Sequence, residues 1–161
     1  MKYYHIKKEF KTAWQKKILQ WYSKNKRDLP WRKKKNQQFY NIWISEVMLK
    51  QTTVKTVIPY YDKFLKKWPN LETFFNASLD EILLVWQGMG YYQRAKNLYL
   101  AKEILKKEKI NINLEDLKKL PGIGDYVSSA ICAILVDQNC TVIDGNIKRI
   151  ITRAFNLDKN K

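Results

Sequence analysis

Histidine is almost missing from this chain: His5 is the one example, and it stands in an N-terminal stretch expected to be mobile. A site built on imidazole chemistry is therefore not expected. Cysteine is scarce too. Cys132 and Cys140 are too few for a disulfide framework and stand in no paired metal-ligand spacing. From its own residues the chain is not expected to build a zinc or iron–sulfur site of the usual kind. No apolar run approaches the ~18 residues of a membrane span. The first twenty residues hold Lys2, Lys7, Lys8, Glu9, Lys11, Lys16 and Lys17 where a signal peptide would keep its apolar stretch. A soluble, unexported, cytoplasmic protein without a membrane partner is the expectation. Clean two-residue alternation is also lacking, so no segment is proposed as a sheet.

What remains is apolar, aromatic and basic. The 161 residues are 45% hydrophobic and 14% aromatic, with six tryptophans, which is too apolar for a disordered basic tail. A chain of this length buries roughly two-thirds of its surface, enough for one domain. Thirty-one Lys and Arg against 15 Asp and Glu give a net charge of +16. Lys outnumbers Arg 26 to 5 among many Asn and Ile, a bias that an AT-rich genome also produces. The charge is uneven, however: residues 1–35 carry 13 basic and two acidic groups. That concentration suits an anionic partner.

Periodicity reads as helix almost everywhere, which makes the fold class all-α. Phe10, Trp14, Ile18 and Trp21 or Tyr22 form one stripe on a first helix at about 6–24. Further helices are expected at 39–52, around Val57 to Leu65 with Pro59 in the opening turn, and from a Ser78–Glu81 capping box to Trp86. Ala95, Leu98, Ala101 and Leu105 place the next one. Asn113 and then Asp125 are expected to cap a pair of short helices on either side of Leu120-Pro121-Gly122-Ile123-Gly124, and a last helix runs over about 146–156.

Four segments could carry chemistry. All five glycines fall in three turns, and the Gly122-Ile123-Gly124 turn between two helices would leave backbone N–H groups free for phosphate oxygens; a plain C-cap followed by an N-cap is the alternative. The run Ile42-Trp43-Ile44-Ser45-Glu46-Val47-Met48-Leu49 is apolar on every helical face, so burial would raise the pKa of Glu46 and keep a proton available for general acid catalysis. The alternative is a glutamate at the edge of that face, reaching solvent. Asp144 heads a helix and reads either as an N-cap or as a fixed negative charge beside a developing cation. Gly88-Met89-Gly90-Tyr91-Tyr92-Gln93-Arg94-Ala95 could insert a ring into a base stack or supply core aromatics.

In this order, these pieces resemble the helix-hairpin-helix DNA glycosylase superfamily, and within it the adenine DNA glycosylases of the MutY type. The likeness runs from about Leu29 to Ala154: Leu29-Pro30-Trp31-Arg32, Trp43 to Leu49 with Gln51-Thr52, Gly88 to Tyr92 with Arg94-Ala95, Leu120 to Gly124, and Ile143-Asp144-Gly145-Asn146-Ile147-Lys148-Arg149. The resemblance implies a glycosylase that removes adenine mispaired with 8-oxoguanine or guanine in double-stranded DNA. Glu46 would protonate the flipped-out adenine, and Asp144 would stabilise the oxocarbenium ion. Gln51 and Tyr91 match wedge positions, and Trp31 lies where the family lines its adenine pocket. Arg32, Thr52, Arg94, Gly122, Ile123, Gly124 and Lys148 complete the expected DNA-binding set. Tyr126 stands where the endonuclease III branch has a lysine that attacks the sugar. A phenol cannot form that Schiff base, so a monofunctional glycosylase is expected, with thymine-mismatch glycosylases as the second reading.

Two departures qualify the likeness. Lys50 replaces the first of two glutamines that usually follow the glutamate helix. The chain also stops at Lys161, whereas the family continues to four cysteines holding a 4Fe–4S cluster and to a domain that reads 8-oxoguanine. The expected division is an N-terminal helix over 1–28 that would pack on that further part, a six-helix barrel core over 29–156 with the hairpin motif at 114–136, and a tail at 157–161. No cofactor is expected from this chain's own residues. A monomer associated with the bacterial nucleoid is the expected setting, and a catalytically inactive, DNA-binding relic is the alternative function.

Overall fold

The computed structural model describes residues 8–136, 140–155 and 157, and among them it is all-helical. His5 and most of the tail lie outside the described residues. The helices are α1 (Lys8–Asn25), two single 3-10 turns (Pro30–Arg32 and Lys34–Asn36), α2 (Phe39–Leu49), α3 (Val54–Lys67), α4 (Leu71–Phe74), α5 (Leu79–Trp86), α6 (Gln93–Lys107), α7 (Leu114–Lys118), α8 (Asp125–Leu135) and α9 (Gly145–Ala154).

The centre of the molecule is α2. Its sequence is apolar all round, and it buries Tyr40 to Ser45, Val47 and Met48 against α3, α6 and α8. Aromatic rings lock one end of this core: Trp43, Phe64 and Trp68 surround Phe74 with centroids 5.3–6.2 Å away. Deleting such a ring costs about 3–5 kcal/mol. Local signals define the helix starts. Ser78 and Glu81 close both halves of the expected capping box, at 3.2 and 2.9 Å, and the Asn113 side chain accepts from the Asp116 amide at 2.8 Å.

Four expectations are corrected. The third helix begins earlier, at Val54, because Thr53 caps it by accepting from the Thr56 amide. Pro59 consequently sits in the second turn; it and Lys55 are exposed, so the Lys55 carbonyl left without a donor can reach water. The second helix stops at Leu49 rather than Thr52, since Gln51 turns to φ 58°. Asp125 does not cap α8: Gly124 holds the N-cap position without a side-chain bond, and Asp125 pairs with Lys118 across the hairpin.

Helix α1 contributes no buried residue. Phe10 and Trp14 meet the Phe155 ring edge-on at 5.9 and 5.2 Å, while Ile18 and Trp21 stay exposed. The Phe10–Trp14 end of this apolar stripe therefore rests on the residue that follows α9 rather than on the central core.

Candidate active site

Glu46 sits on a part of α2 that faces a cleft. It opens onto two adjoining cavities. The first, about 360 Å³, is walled by Trp31, Arg32, Ile42, Leu49 and Tyr126 together with Glu46; the second, about 640 Å³, adds Gln51, Asp144 and Asn146. Burial among apolar neighbours pushes the Glu46 carboxyl up to about 7, and the Arg32 guanidinium only partly opposes this. A carboxylic acid that keeps its proton near neutrality is a competent general acid. Glu46 thus stands at the edge of the buried face of α2, and that edge is a cavity wall.

Asp144 reaches the same cavity from the loop before α9. Its Oδ1 accepts from the Ile147 amide at 2.7 Å, so it is an N-cap, and the carboxylate still lines the cleft. Tyr126, in the first turn of α8, lines the same cavity as the two acids. Its hydroxyl is pushed up by burial and by the charges of Glu46 and Asp144. Three residues far apart in sequence thus meet in one cleft, where a proton donor and an anion can act on two ends of one breaking bond.

The two expected wedge residues share an unusual backbone. Gln51 (φ 58°) and Tyr91 (φ 51°) are the non-glycine residues with left-handed backbone among the described residues, and both are exposed. Each such conformation costs on the order of 1–2 kcal/mol. Arg94, expected on the DNA, instead turns inward and is 8% exposed. Its guanidinium donates to the carbonyls of Val47 (3.2 Å), Met48 (2.7 Å), Lys50 and Gly90 (3.2 Å) and to the Thr52 hydroxyl (2.9 Å), and its Nε donates to the Tyr91 carbonyl at 3.4 Å. The Thr52 hydroxyl is engaged there too. Burial pulls the Arg94 pKa down, yet the bonds satisfy the open carbonyl end of α2. Lys50, the departure from the family pattern, donates from Nζ to the Gly122 carbonyl at 3.1 Å and so joins the end of α2 to the hairpin.

In the hairpin, Gly122 is at φ 81°, and a Cβ there would lie 2.9 Å from that of Asn97. Glycine is required on both counts. Among the described residues the amides of Gly122 and Gly124 donate to no protein acceptor, and α8 starts without a side-chain cap. Those donors remain available at a helix N-terminus. Ile123 does not match the expectation in the same way: its side chain is buried and its amide donates to the Leu120 carbonyl at 3.0 Å.

Trp31 is buried, edge-on to Tyr61 at 5.4 Å, and lines the first cavity, while Arg32 is exposed and lies over the Tyr22 ring. Lys148 projects from α9 into a separate shallow recess of about 200 Å³ with Arg149 and Arg153. The inward turn of Arg94 and the Lys50 strut were not foreseen from sequence, since a guanidinium or ammonium reads as a surface charge until its acceptors are placed. The 4Fe–4S cluster that the resemblance implies needs four thiolates. This chain offers Cys132, buried in α8, and Cys140, and no group of three or more His, Cys, Asp or Glu among the described residues could hold a metal. These residues do not fit that cluster.

A helical hairpin with free amides thus stands beside a cleft that holds two acidic side chains, Glu46 and Asp144, and the fold class this defines is helix-hairpin-helix. Comparison with known proteins gives the family. The model described as "HhH-GPD superfamily base excision DNA repair protein" matches residues 44–161, and the chain belongs to this superfamily. It is 44% identical over 144 residues to an adenine DNA glycosylase of Buchnera aphidicola subsp. Schizaphis graminum, and 40% identical over 153 residues to that of Rattus norvegicus. These matches cover 87% and 89% of this chain but 41% and 30% of the relatives, so the chain spans less than half of their length. Among solved structures, a thermostable thymine-DNA glycosylase superposes with a TM-score of 0.80 at 26% identity, covering 93% of this chain and 72% of the other. No helix among the described residues is long and apolar enough to cross a membrane.

Proposed function

We propose that the chain carries the cleft of an adenine DNA glycosylase acting in base-excision repair, which hydrolyses the N-glycosidic bond of adenine mispaired with 8-oxoguanine or guanine. The observation that supports this most is the shared cavity of Glu46, Tyr126 and Asp144, with the Glu46 carboxyl held up to about 7. The strength of the likeness to relatives named adenine DNA glycosylase favours adenine as the base.

Duplex DNA is gripped through its phosphates by the Gly122–Gly124 turn and the start of α8, with Lys148 and Arg32 adding charge. Gln51 and Tyr91 enter the stack as the adenine leaves it, and the base comes to rest against Trp31. Glu46 gives its proton to the adenine, which turns a poor leaving group into a neutral one. The bond between the base nitrogen and C1′ breaks with its electron pair on the base. Asp144 faces the resulting oxocarbenium ion as a carboxylate. Glu46, now ionised, takes a proton from water while that water adds to C1′, which restores the acid. Tyr126 supplies no amine, so no Schiff base forms and the strand is left uncut. The work is done by a monomer on chromosomal DNA, in the bacterial case at the nucleoid.

A thymine-mismatch glycosylase is the second reading, favoured by the superposition on the thermostable thymine-DNA glycosylase. The test is single-turnover excision on a duplex with adenine opposite 8-oxoguanine, developed with alkali, beside a thymine–guanine duplex and a Glu46→Gln control. Adenine release that is lost in Glu46→Gln is expected. Release of thymine alone would move the assignment to the second reading, and duplex binding without any release would make the chain a binding relic.

A further inference from the structure

We infer that Arg94 is a positioning residue that holds Gln51 and Tyr91 as one rigid two-pronged wedge. The inference rests on the reading of those two side chains as the groups that enter the base stack.

Gln51 and Tyr91 stand on different loops, one after α2 and one before α6, and each requires a left-handed backbone that its residue type does not favour. Backbone bonds within each loop, from the Thr52 amide to the Leu49 carbonyl at 3.4 Å and from the Arg94 amide to the Tyr91 carbonyl at 3.0 Å, do not join one loop to the other. Arg94 does, because its planar fork donates to both loops at once. On the Gln51 side it meets the carbonyl of Lys50 and the hydroxyl of Thr52, the residues directly before and after Gln51. On the Tyr91 side it meets the carbonyls of Gly90 and of Tyr91 itself. The carbonyls of Val47 and Met48 tie the same fork to α2, the helix that carries Glu46. The guanidinium lies 5.3 Å from the centroids of both the Trp86 and Tyr91 rings, which limits its rotation. A strained conformation persists only where its surroundings over-determine it, and here one side chain over-determines two. Lys50 extends the linkage: its carbonyl accepts from Arg94 while its Nζ donates to the Gly122 carbonyl of the hairpin. Wedge, acid-bearing helix and phosphate-gripping turn are therefore joined through two side chains.

Lysine keeps the charge at position 94 but cannot reproduce a planar fork of five N–H donors. The test compares wild type with Arg94→Lys on a duplex that carries 2-aminopurine beside the adenine mispair, at saturating protein. Wild type should raise the fluorescence as the wedge unstacks the neighbouring base. Arg94→Lys should lose most of that rise and slow excision by about 10- to 100-fold, the scale of an ångström-sized misplacement. Its affinity for undamaged duplex should stay within about two-fold, and its salt slope should not change, because phosphate contacts are untouched. If Arg94→Lys keeps the full fluorescence rise and rate, the inference is wrong. It is equally wrong if affinity falls for every duplex and the salt slope drops by about one, the mark of a lost phosphate contact. Should Arg94→Lys fail to fold, Thr52→Val removes a single bond of the fork on the Gln51 side, and a partial loss of the rise with an unchanged salt slope is expected. Wild-type behaviour of Thr52→Val in both readouts would then overturn the inference. A rise without excision in the wild type refutes only the catalytic reading and leaves the fluorescence comparison decisive; no rise in the wild type refutes the wedge reading and this inference with it.

Discussion

Replacing Glu46 by glutamine should change how stability depends on pH, in a direction that follows from the cleft. The carboxyl moves from an ordinary value of 4.5 to about 7 because the folded protein surrounds it with apolar groups. Below pH 4.5 both the folded and the unfolded chain hold the proton, and burial of the neutral acid carries no ionisation penalty. As pH rises through 4.5 the unfolded chain releases its proton while the folded one retains it, so stability declines by up to about 1.4 kcal/mol per pH unit. The decline stops once the folded carboxyl ionises near 7. The accumulated loss is about 3 kcal/mol, an upper figure because the side chain lies on an open cavity wall where water can reach it. Groups whose pKa is pulled down, Glu81 by the Ser78 amide and Lys67, and Asp116 by Lys119 and Asn113, act in the opposite sense and lower: their contribution is complete above the ordinary carboxylate range and fades toward pH 2. The two windows meet near pH 4.5 and do not overlap. Urea unfolding at pH 5, 6, 7 and 8 should therefore show the wild type losing stability where Glu46→Gln is flat, leaving the variant ahead by roughly 2–3 kcal/mol at pH 8. Single-turnover excision should fall about tenfold per pH unit above pH 7, as the acid form disappears. Parallel pH profiles for the two proteins would refute the claim that burial holds the Glu46 proton.

Two further predictions separate structure from chemistry. Asp144→Asn keeps a good N-cap for α9, so the melting temperature should barely move, while single-turnover excision falls by about 100-fold or more for want of a negative charge; equal losses in both would make Asp144 a cap alone. Gly122→Val meets both a positive φ and the Asn97 side chain, and should cost about 1–3 kcal/mol and weaken binding to every duplex alike in anisotropy titrations. Gly124→Ala, whose Cβ would meet nothing within 4 Å, is the matched control, and selective loss on mispaired DNA in Gly122→Val would contradict the phosphate role.

Much of this protein is legible from the order of residue types alone. An all-round apolar helix has one place to go, so α2 is the core, and its one acid must meet low dielectric. Cap residues carry their partners within a few positions, which is why the caps at Ser78, Asn113 and Asp144 are legible in the sequence. Asp125 fails for a related reason: its competing partner, Lys118, lies across a hairpin whose closure a local reading cannot weigh. The inward bonds of Arg94 and Lys50 are not legible in this way. A cation reads as surface charge in sequence, and most of the acceptors here are distant along the chain, a pairing that exists only once α2, α6 and the hairpin have packed. The residue types thus determine which elements form and that an acid lies at the edge of the core. Tertiary packing decides which acids share a cavity and which cations turn inward, because desolvation and hydrogen bonding depend on distances that no local spacing encodes.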